Sequence, residues 1–504
     1  MISILLCDFY KAVHCAQYDP KITRLVAYYV PRMSRFKDIT EIPVIGLQAF
    51  IKEYLIDHFN QNFFWKDIED LKSEYDWIIN NTMGSNRNYW HYVESLWKLG
   101  YLPLEISALE EGIKCPIGCP VIQITNTDPN FAWVVNAIES LMSNELWYQS
   151  CTAIAGMRYR NIVNKYYEKT SDHPENAKHA ISEFGFRGLP GLAAARKASM
   201  GFLLSFDKTA TIPAITYIHD MYGDDLNSIG GGMASSEHSV MTSSYAIEDE
   251  EETLIERLLT EVYPDGNFAM VCDSYDYWNV VDNILPKLKE EILERNGTLY
   301  VRGDSGDPVE IVTDTVKHLW DIFGGTINSK GYKVLDSHIR AIYGDSITQQ
   351  RAEKIYSILE KAGFAADNVA LGAGSFSMLC YENEDGSLSP YTRDTYAIAI
   401  KSTAGAYIDT IRNADGSIIS RGDKEIRIYK DPKTDTGHFK KSHKGWVGVY
   451  CNEVGEISYK DNLTWGQKEV HQPLDLLKPV FRDGKLLRST TFNEIRQRFW
   501  NGKF

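Results

Sequence analysis

A chain of 504 residues can bury more than one core, so two domains are expected. Its 44% hydrophobic and 12% aromatic content, with no low-complexity tract, argues against a disordered chain. A formal charge of −15 disfavours a nucleic-acid binder, which carries a basic surplus, and no apolar run reaches transmembrane length.

The amino terminus is apolar only from Ile2 to Leu6 before Cys7 and Asp8, too short for a secretory h-region. Asp8–Phe9–Tyr10–Lys11 reads as a helix start with Asp8 as its cap. Ile22 to Val30 reads as a strand, Ile45 to Phe59 as an amphipathic helix, and Leu104 to Thr125 as two strands joined by a turn. Cys115 and Cys119 are the only close pair among eight cysteines. That scatter suits a reducing cytoplasm, and the lack of a second pair at ligand spacing argues against zinc. Phe131 to Tyr167 is predicted to be a long helical stretch, broken near Ser150–Cys151–Thr152.

From Ile181 to Leu379 one unit recurs: an apolar strand, a polar or glycine-rich tip, then a helical pattern. Glu183–Phe184–Gly185–Phe186–Arg187–Gly188 precedes an alanine-rich helix, and Phe268–Cys272 leads into Asp273–Ser274–Tyr275–Asp276. Thr298–Val301 leads into Arg302–Gly303–Asp304–Ser305–Gly306–Asp307 before a helix from Val309 to Trp320. Ile339–Tyr343 leads into Gly344–Asp345, and Asn368–Leu371 into Gly372–Ala373–Gly374–Ser375. Repeated βα units imply parallel strands, and chemistry in such folds collects at their carboxyl ends. Arg302 offers a planar fork for phosphate or carboxylate oxygens, and Asp304 accepts from hydroxyls or an amide, or holds a cation. His238, in Gly230–Gly231–Gly232–Met233–Ala234–Ser235–Ser236–Glu237–His238, lies between two of these tips.

After Tyr381 to Pro390, a polar turn, short strands are expected at Ile408–Ile411, Ile418–Ser420 and Ile426–Tyr429. Cations gather at Lys430, Lys433, Lys440, Lys441 and Lys444, where an otherwise acidic protein would handle phosphates. Neither terminal segment looks complete alone. The expected domains are therefore residues 1–150 with 390–504, a mixed sheet and helix domain, and residues 151–389, a β/α catalytic domain.

Together these residues resemble the nicotinamide phosphoribosyltransferase family over nearly the whole chain. The matching motifs are D-x-Y-K-x-x-H from Asp8, G-L-Q from Gly46, N-T-D-P from Asn126, F-G-F-R-G from Phe184, E-H-S from Glu237 and D-S-Y-D from Asp273. They continue with R-x-D-S-G-x-P from Arg302, G-D at Gly344, T-R-D from Thr392, K-D-P from Lys430 and F-x-E-I-R from Phe492. The resemblance implies an α/β protein, an irregular β/α barrel of the type II phosphoribosyltransferase kind packed against a mixed sheet domain. It implies a homodimer with active sites shared between subunits, acting on nicotinamide and phosphoribosyl diphosphate in NAD salvage. Phe184 of one subunit and Tyr10 of the other, with Asp8 nearby, would enclose the pyridine ring. Arg302, Arg187 and His238 would face the diphosphate or ring, and Asp304 the ribose or the amide edge. Gly344, Asp345, Gly374 and Ser375 would line the ribose and its 5′-phosphate. Arg32, Arg393, Lys401, Lys430 and Lys440 would supply positive charge. Mg2+ would accompany the diphosphate, and His238 resembles a histidine that is phosphorylated when ATP is a coupling substrate.

Three positions depart from the family pattern. Ala210 stands in Phe206–Asp207–Lys208–Thr209–Ala210–Thr211 where an aspartate reads the carboxamide. Gly232–Met233–Ala234 replaces Ser-Val-Pro, and Ser375 replaces the second glycine of the phosphate loop. The first two bear on base selectivity. The third bears on a larger donor such as ADP-ribose diphosphate. The nearest rival reading therefore keeps the fold but uses nicotinate or that larger donor, making NAD directly. A reading of another class, adhesion or signalling through Arg302–Gly303–Asp304, needs an exposed loop and a secretory route.

Overall fold

The computed structural model describes residues 1–248, 250–344, 346–412, 417–437 and 440–502. The chain divides into two compact units: Met1–Ser150 with Asp220–Gly223 and Thr392–Phe504, and Cys151–His219 with Asp224–Tyr391.

The second unit is built on seven parallel strands: β1 (Ile181–Phe184), β2 (Lys208–Thr209), β3 (Ala234–Ser235), β4 (Phe268–Val271), β5 (Leu299–Gly303), β6 (Ile339–Tyr343) and β7 (Val369–Gly374). Their order in the sheet is β2-β1-β7-β6-β5-β4-β3. A parallel bridge between Lys208 and Gly231, just ahead of β3, draws the outer strands together, so the sheet curls into an irregular barrel. The strands are apolar because both faces are covered: Phe268, Met270, Val271, Leu299, Val301, Ile339 and Leu371 are all buried. A helix typical of the crossovers is Pro308–Phe323. Asp307 caps it by accepting from Val309 and Glu310 N–H, Pro308 begins it, and Val312, Val316, Leu319 and Phe323 form its buried stripe.

The first unit holds a seven-stranded antiparallel sheet, in the order Ile418–Arg427, Ile398–Arg412, Ile22–Pro31, Ile122–Asn126, Leu104–Ala108, Lys478–Arg482, Lys485–Leu486. Strands from both ends of the chain interleave. Register places Lys401 opposite Tyr28.

Four local expectations are revised. The helix Glu139–Thr170 is unbroken; the interruption falls at Ile138. Ser150, Cys151 and Thr152 are buried within that helix, where their small volume permits close packing. The segment after Gly46 is helical but underwound, with π-type turns over Ile51–His58 and Asn60–Phe64. The short strands expected between 408 and 429 are parts of two long paired strands. Asp8 precedes the 3-10 helix Phe9–Ala16 without capping it, because its carboxylate accepts from the Ser140 hydroxyl at 2.5 Å instead.

Candidate active site

The parallel barrel delivers the tips of β1 to β7 to one end, and four ionisable side chains meet there. Arg302 and Asp304 are two residues apart on an extended segment, so they project to the same side. The Arg302 fork closes on Asp304: Nε donates to both carboxylate oxygens at 3.1 and 3.0 Å, and Nη2 to Oδ2 at 2.6 Å. Nη1 reaches the Ser235 hydroxyl at 2.8 Å and the Ser236 carbonyl at 3.2 Å. The guanidinium is therefore held by its own strand end and by β3, where sequence reasoning presents it as an open anion clamp. Both side chains are mostly covered, 18% and 19% exposed, and Gly303 is buried. That geometry leaves no displayed Arg-Gly-Asp loop for adhesion.

His238 sits over this pair. Its Nε2 is 3.7 Å from Asp304 Oδ2 and 3.8 Å from Asp273 Oδ1, and its Nδ1 is 3.3 Å from the Ser274 hydroxyl. The neighbouring Glu237 bonds Ser239 and does not orient the imidazole. Asp273 follows β4 and has a side chain only 3% exposed. Its Oδ2 accepts from Asp304 N–H at 2.9 Å, and its Oδ1 is buried without a hydrogen-bond partner among the described residues. Sequence reasoning noted Asp273 as one acidic strand end but gave it no role. Only the adjacency of β4 to β3 brings it to His238, and that of β4 to β5 brings it to Asp304.

Phe184 lies on glycine backbone. A Cβ at Gly372 would fall 2.5 Å from the Phe184 ring, and one at Gly344 would fall 2.9 Å from Asp304 and 3.6 Å from that ring. Glycine at the tips of β6 and β7 thus lets an aromatic face, a carboxylate and the Arg302 fork share one small space. Gly188 packs on Ser375 in the same way, where a Cβ would fall 2.2 Å from the hydroxyl. Gly374 ends β7 and Ser375 opens a short helix. Arg187 is exposed beside this turn, Ala210 is exposed after β2, and Asp345 lies outside the described residues.

The remaining site candidates belong to the other unit. Asp8, Tyr10 and Arg393 line a cavity of about 510 Å³ together with Glu139 and Trp147. Tyr10 is 57% exposed. Glu139 binds both Lys11 and Lys401, the latter at 3.0 Å. Arg32 and Lys401 line a second cavity of about 300 Å³ with Lys441, His443, Tyr459 and Asp461. His443 faces Asp461 at 3.7 Å and the Gly118 carbonyl at 3.1 Å; burial pushes its imidazole below the usual histidine range. Burial and the nearby Arg393 likewise lower the Arg32 guanidinium. Lys430 and Lys440 are exposed, with backbone N–H groups bound to Ser442 and Asp435.

The profile of the nicotinate phosphoribosyltransferase family matches residues 179–485. The chain is 35% identical to a nicotinamide phosphoribosyltransferase of Acinetobacter baylyi, over 97% of this chain and 95% of that protein. It is 30% identical to a nicotinamide phosphoribosyltransferase of Xanthomonas campestris pv. campestris, over 98% and 97%. Among solved structures, the nicotinate-nucleotide pyrophosphorylase of Pyrococcus furiosus superposes with a TM-score of 0.56 at 12% identity, covering 99% of this chain and 94% of that one.

Proposed function

This chain belongs to the nicotinate phosphoribosyltransferase family, and from that premise we propose that it transfers the phosphoribosyl group of phosphoribosyl diphosphate to nicotinamide. The products are nicotinamide mononucleotide and diphosphate, a step of NAD salvage. The observation that carries the reading is the Arg302–Asp304–His238–Asp273 cluster beside the Phe184 ring, at the carboxyl ends of parallel strands. The relatives bearing the nicotinamide name support the choice of base.

The residues suit the chemistry. The bond from C1′ to the diphosphate oxygen breaks, its electron pair leaves with diphosphate, and the pyridine nitrogen lone pair forms the new bond to C1′. Positive charge grows on the ribose, where Asp304, held in place by Arg302, stabilises it, while the half-exposed His238 beside them would face the leaving group. Phe184 stacks the ring and orients its nitrogen for attack. Asp273 would be the carboxylate here to hold a hard cation, because its Oδ1 is a buried oxygen with no hydrogen-bond partner among the described residues. Magnesium, if bound with the diphosphate, would supply charge for its departure. The half-exposed ring of His238 is open to phosphorylation, which supports ATP as a coupling substrate.

A homodimer belongs to the same proposal. Phe9 and Tyr10 are exposed aromatics beside the cavity of Asp8 and Arg393, and a second copy would use that surface to cover the ring on Phe184. Arg32, Lys401, Lys430 and Lys440 would add charge toward the phosphates. A cytoplasmic setting is supported by eight free cysteines, and no helix among the described residues is long and apolar enough to cross a membrane. The test is mass spectrometry of products from a mixture of nicotinamide, nicotinate, phosphoribosyl diphosphate and ADP-ribose diphosphate. Nicotinamide mononucleotide as main product is expected. Nicotinate mononucleotide or NAD in its place transfers the assignment to the rival base or donor.

A further inference from the structure

Glu183 is wholly buried in β1. Four neutral donors converge on its carboxylate. Oε1 accepts the Gly185 N–H, and Oε2 accepts the hydroxyls of Ser199 at 2.7 Å, Thr209 at 2.7 Å and Thr211 at 2.8 Å. Its backbone carbonyl accepts the Ala210 N–H at 2.8 Å. One residue thus holds position 210 directly and through the side chains on either side of it. The Gly185 bond fixes the turn that carries Phe184 and Arg187. That turn is pressed close, since a Cβ at Gly185 would fall 2.6 Å from Glu183 Oε1. Strand register pairs Glu183 with Thr209, so the next step along β1 and β2 sets Phe184 level with Ala210.

Burying a carboxylate among neutral groups is unfavourable, and an aliphatic residue would serve a barrel strand better. What the carboxylate adds is several acceptor sites at one point and a negative charge in a low-dielectric place. All of its side-chain contacts are internal, so it does not itself bind the base. We propose that Glu183 is a positioning and selectivity residue of the base site. It locks the Thr209–Ala210–Thr211 loop against the Phe184 turn, and its charge disfavours a base bearing a carboxylate, in the place where position 210 has lost one. The proposal rests on the pyridine-base reading above.

Glu183→Gln keeps the shape and removes the charge. The expected result is a rise of about 5-fold or more in the nicotinamide KM, and a fall of similar size in the nicotinamide-to-nicotinate ratio of kcat/KM, with the donor KM within about 2-fold of wild type. Thr211→Val removes one donor but no charge, so it should raise the nicotinamide KM about 3-fold and leave the base ratio unchanged. Ala210→Asp should raise the ratio in the wild-type background and less so beside Glu183→Gln, a coupling that a double-mutant cycle reads directly. A purely structural role lowers the melting temperature and the amount of active enzyme but moves neither the base KM nor the ratio. Wild-type base KM and ratio in a folded Glu183→Gln protein overturn the proposal. If that variant does not fold, wild-type base KM values in both Thr209→Val and Thr211→Val overturn it equally. A wild-type protein that converts neither base fails the functional reading instead.

Discussion

The barrel tips and the charged cavities of the terminal-segment unit solve opposite problems. At the tips, the central charges are already engaged: Arg302 by Asp304 and β3, Asp304 by Arg302 and His238, and Glu183 by hydroxyls. In the other unit the functional groups are displayed, with Tyr10 57% exposed and Arg32, Lys401 and Lys441 around an open cavity. The first arrangement is preorganised, which favours a transition state over solvent. The second gains most from whatever settles on it. Substitutions in the two regions should therefore fail differently.

The largest effect is expected from Asp304→Ala, which leaves the Arg302 fork uncompensated and removes the carboxylate nearest His238. A fall of at least about 100-fold in kcat/KM, roughly 2.7 kcal/mol, is expected. A change within 3-fold, about 0.7 kcal/mol, would show that the interlocked cluster is scaffold only.

Next comes a test that joins the two regions. Tyr10→Ala and Phe184→Ala should each cost about 10-fold or more, from loss of ring stacking. If the two residues act from different copies, mixing the variants should restore up to about a quarter of wild-type activity through hybrid dimers. Verified subunit exchange without recovery means each site is complete in one chain, and Tyr10 does not serve the Phe184 site of a second copy.

Arg302→Lys keeps the charge but cannot hold Asp304, Ser235 and Ser236 together. About a 10-fold loss in kcat/KM for the ribosyl donor is expected, near 1.4 kcal/mol. An unchanged value would remove Arg302 from the site. The smallest effect belongs to the displayed region. Burial holds the His443 imidazole below its ordinary value of 6.5. The unfolded chain therefore takes up the proton first, and the stability that neutral His443 contributes is present above that value and lost as the pH falls through the folded one. Melting temperatures between about pH 5 and 7 should fall less steeply for His443→Gln than for wild type. Parallel curves would show that the imidazole is not linked to stability.

The βα rhythm, the strand tips and the motifs of the family were all readable along the chain. So were most element positions, because periods of 2 and 3.6 are local properties of the residues that form them. The helix break near Ser150 was misplaced because small polar residues look alike in a loop and in a tightly packed helix. Glu183 left one faint signal, a lone acid in an apolar strand. Its meaning depended on Ser199, Thr209 and Thr211, which reach it from two other segments of chain.

The sequence by itself determined which residues stand at the ends of parallel strands, and thus that Arg302, Asp304, His238 and Phe184 were candidates for one site. Tertiary structure alone decided what they do to each other. Sheet order placed β4 between β3 and β5, so Asp273 reaches both the Asp304 backbone and His238. It also placed β6 and β7 beneath the Phe184 ring. Pairing between strands is set by long-range burial and register, quantities that no local pattern encodes, and the geometry of a charged cluster follows from them.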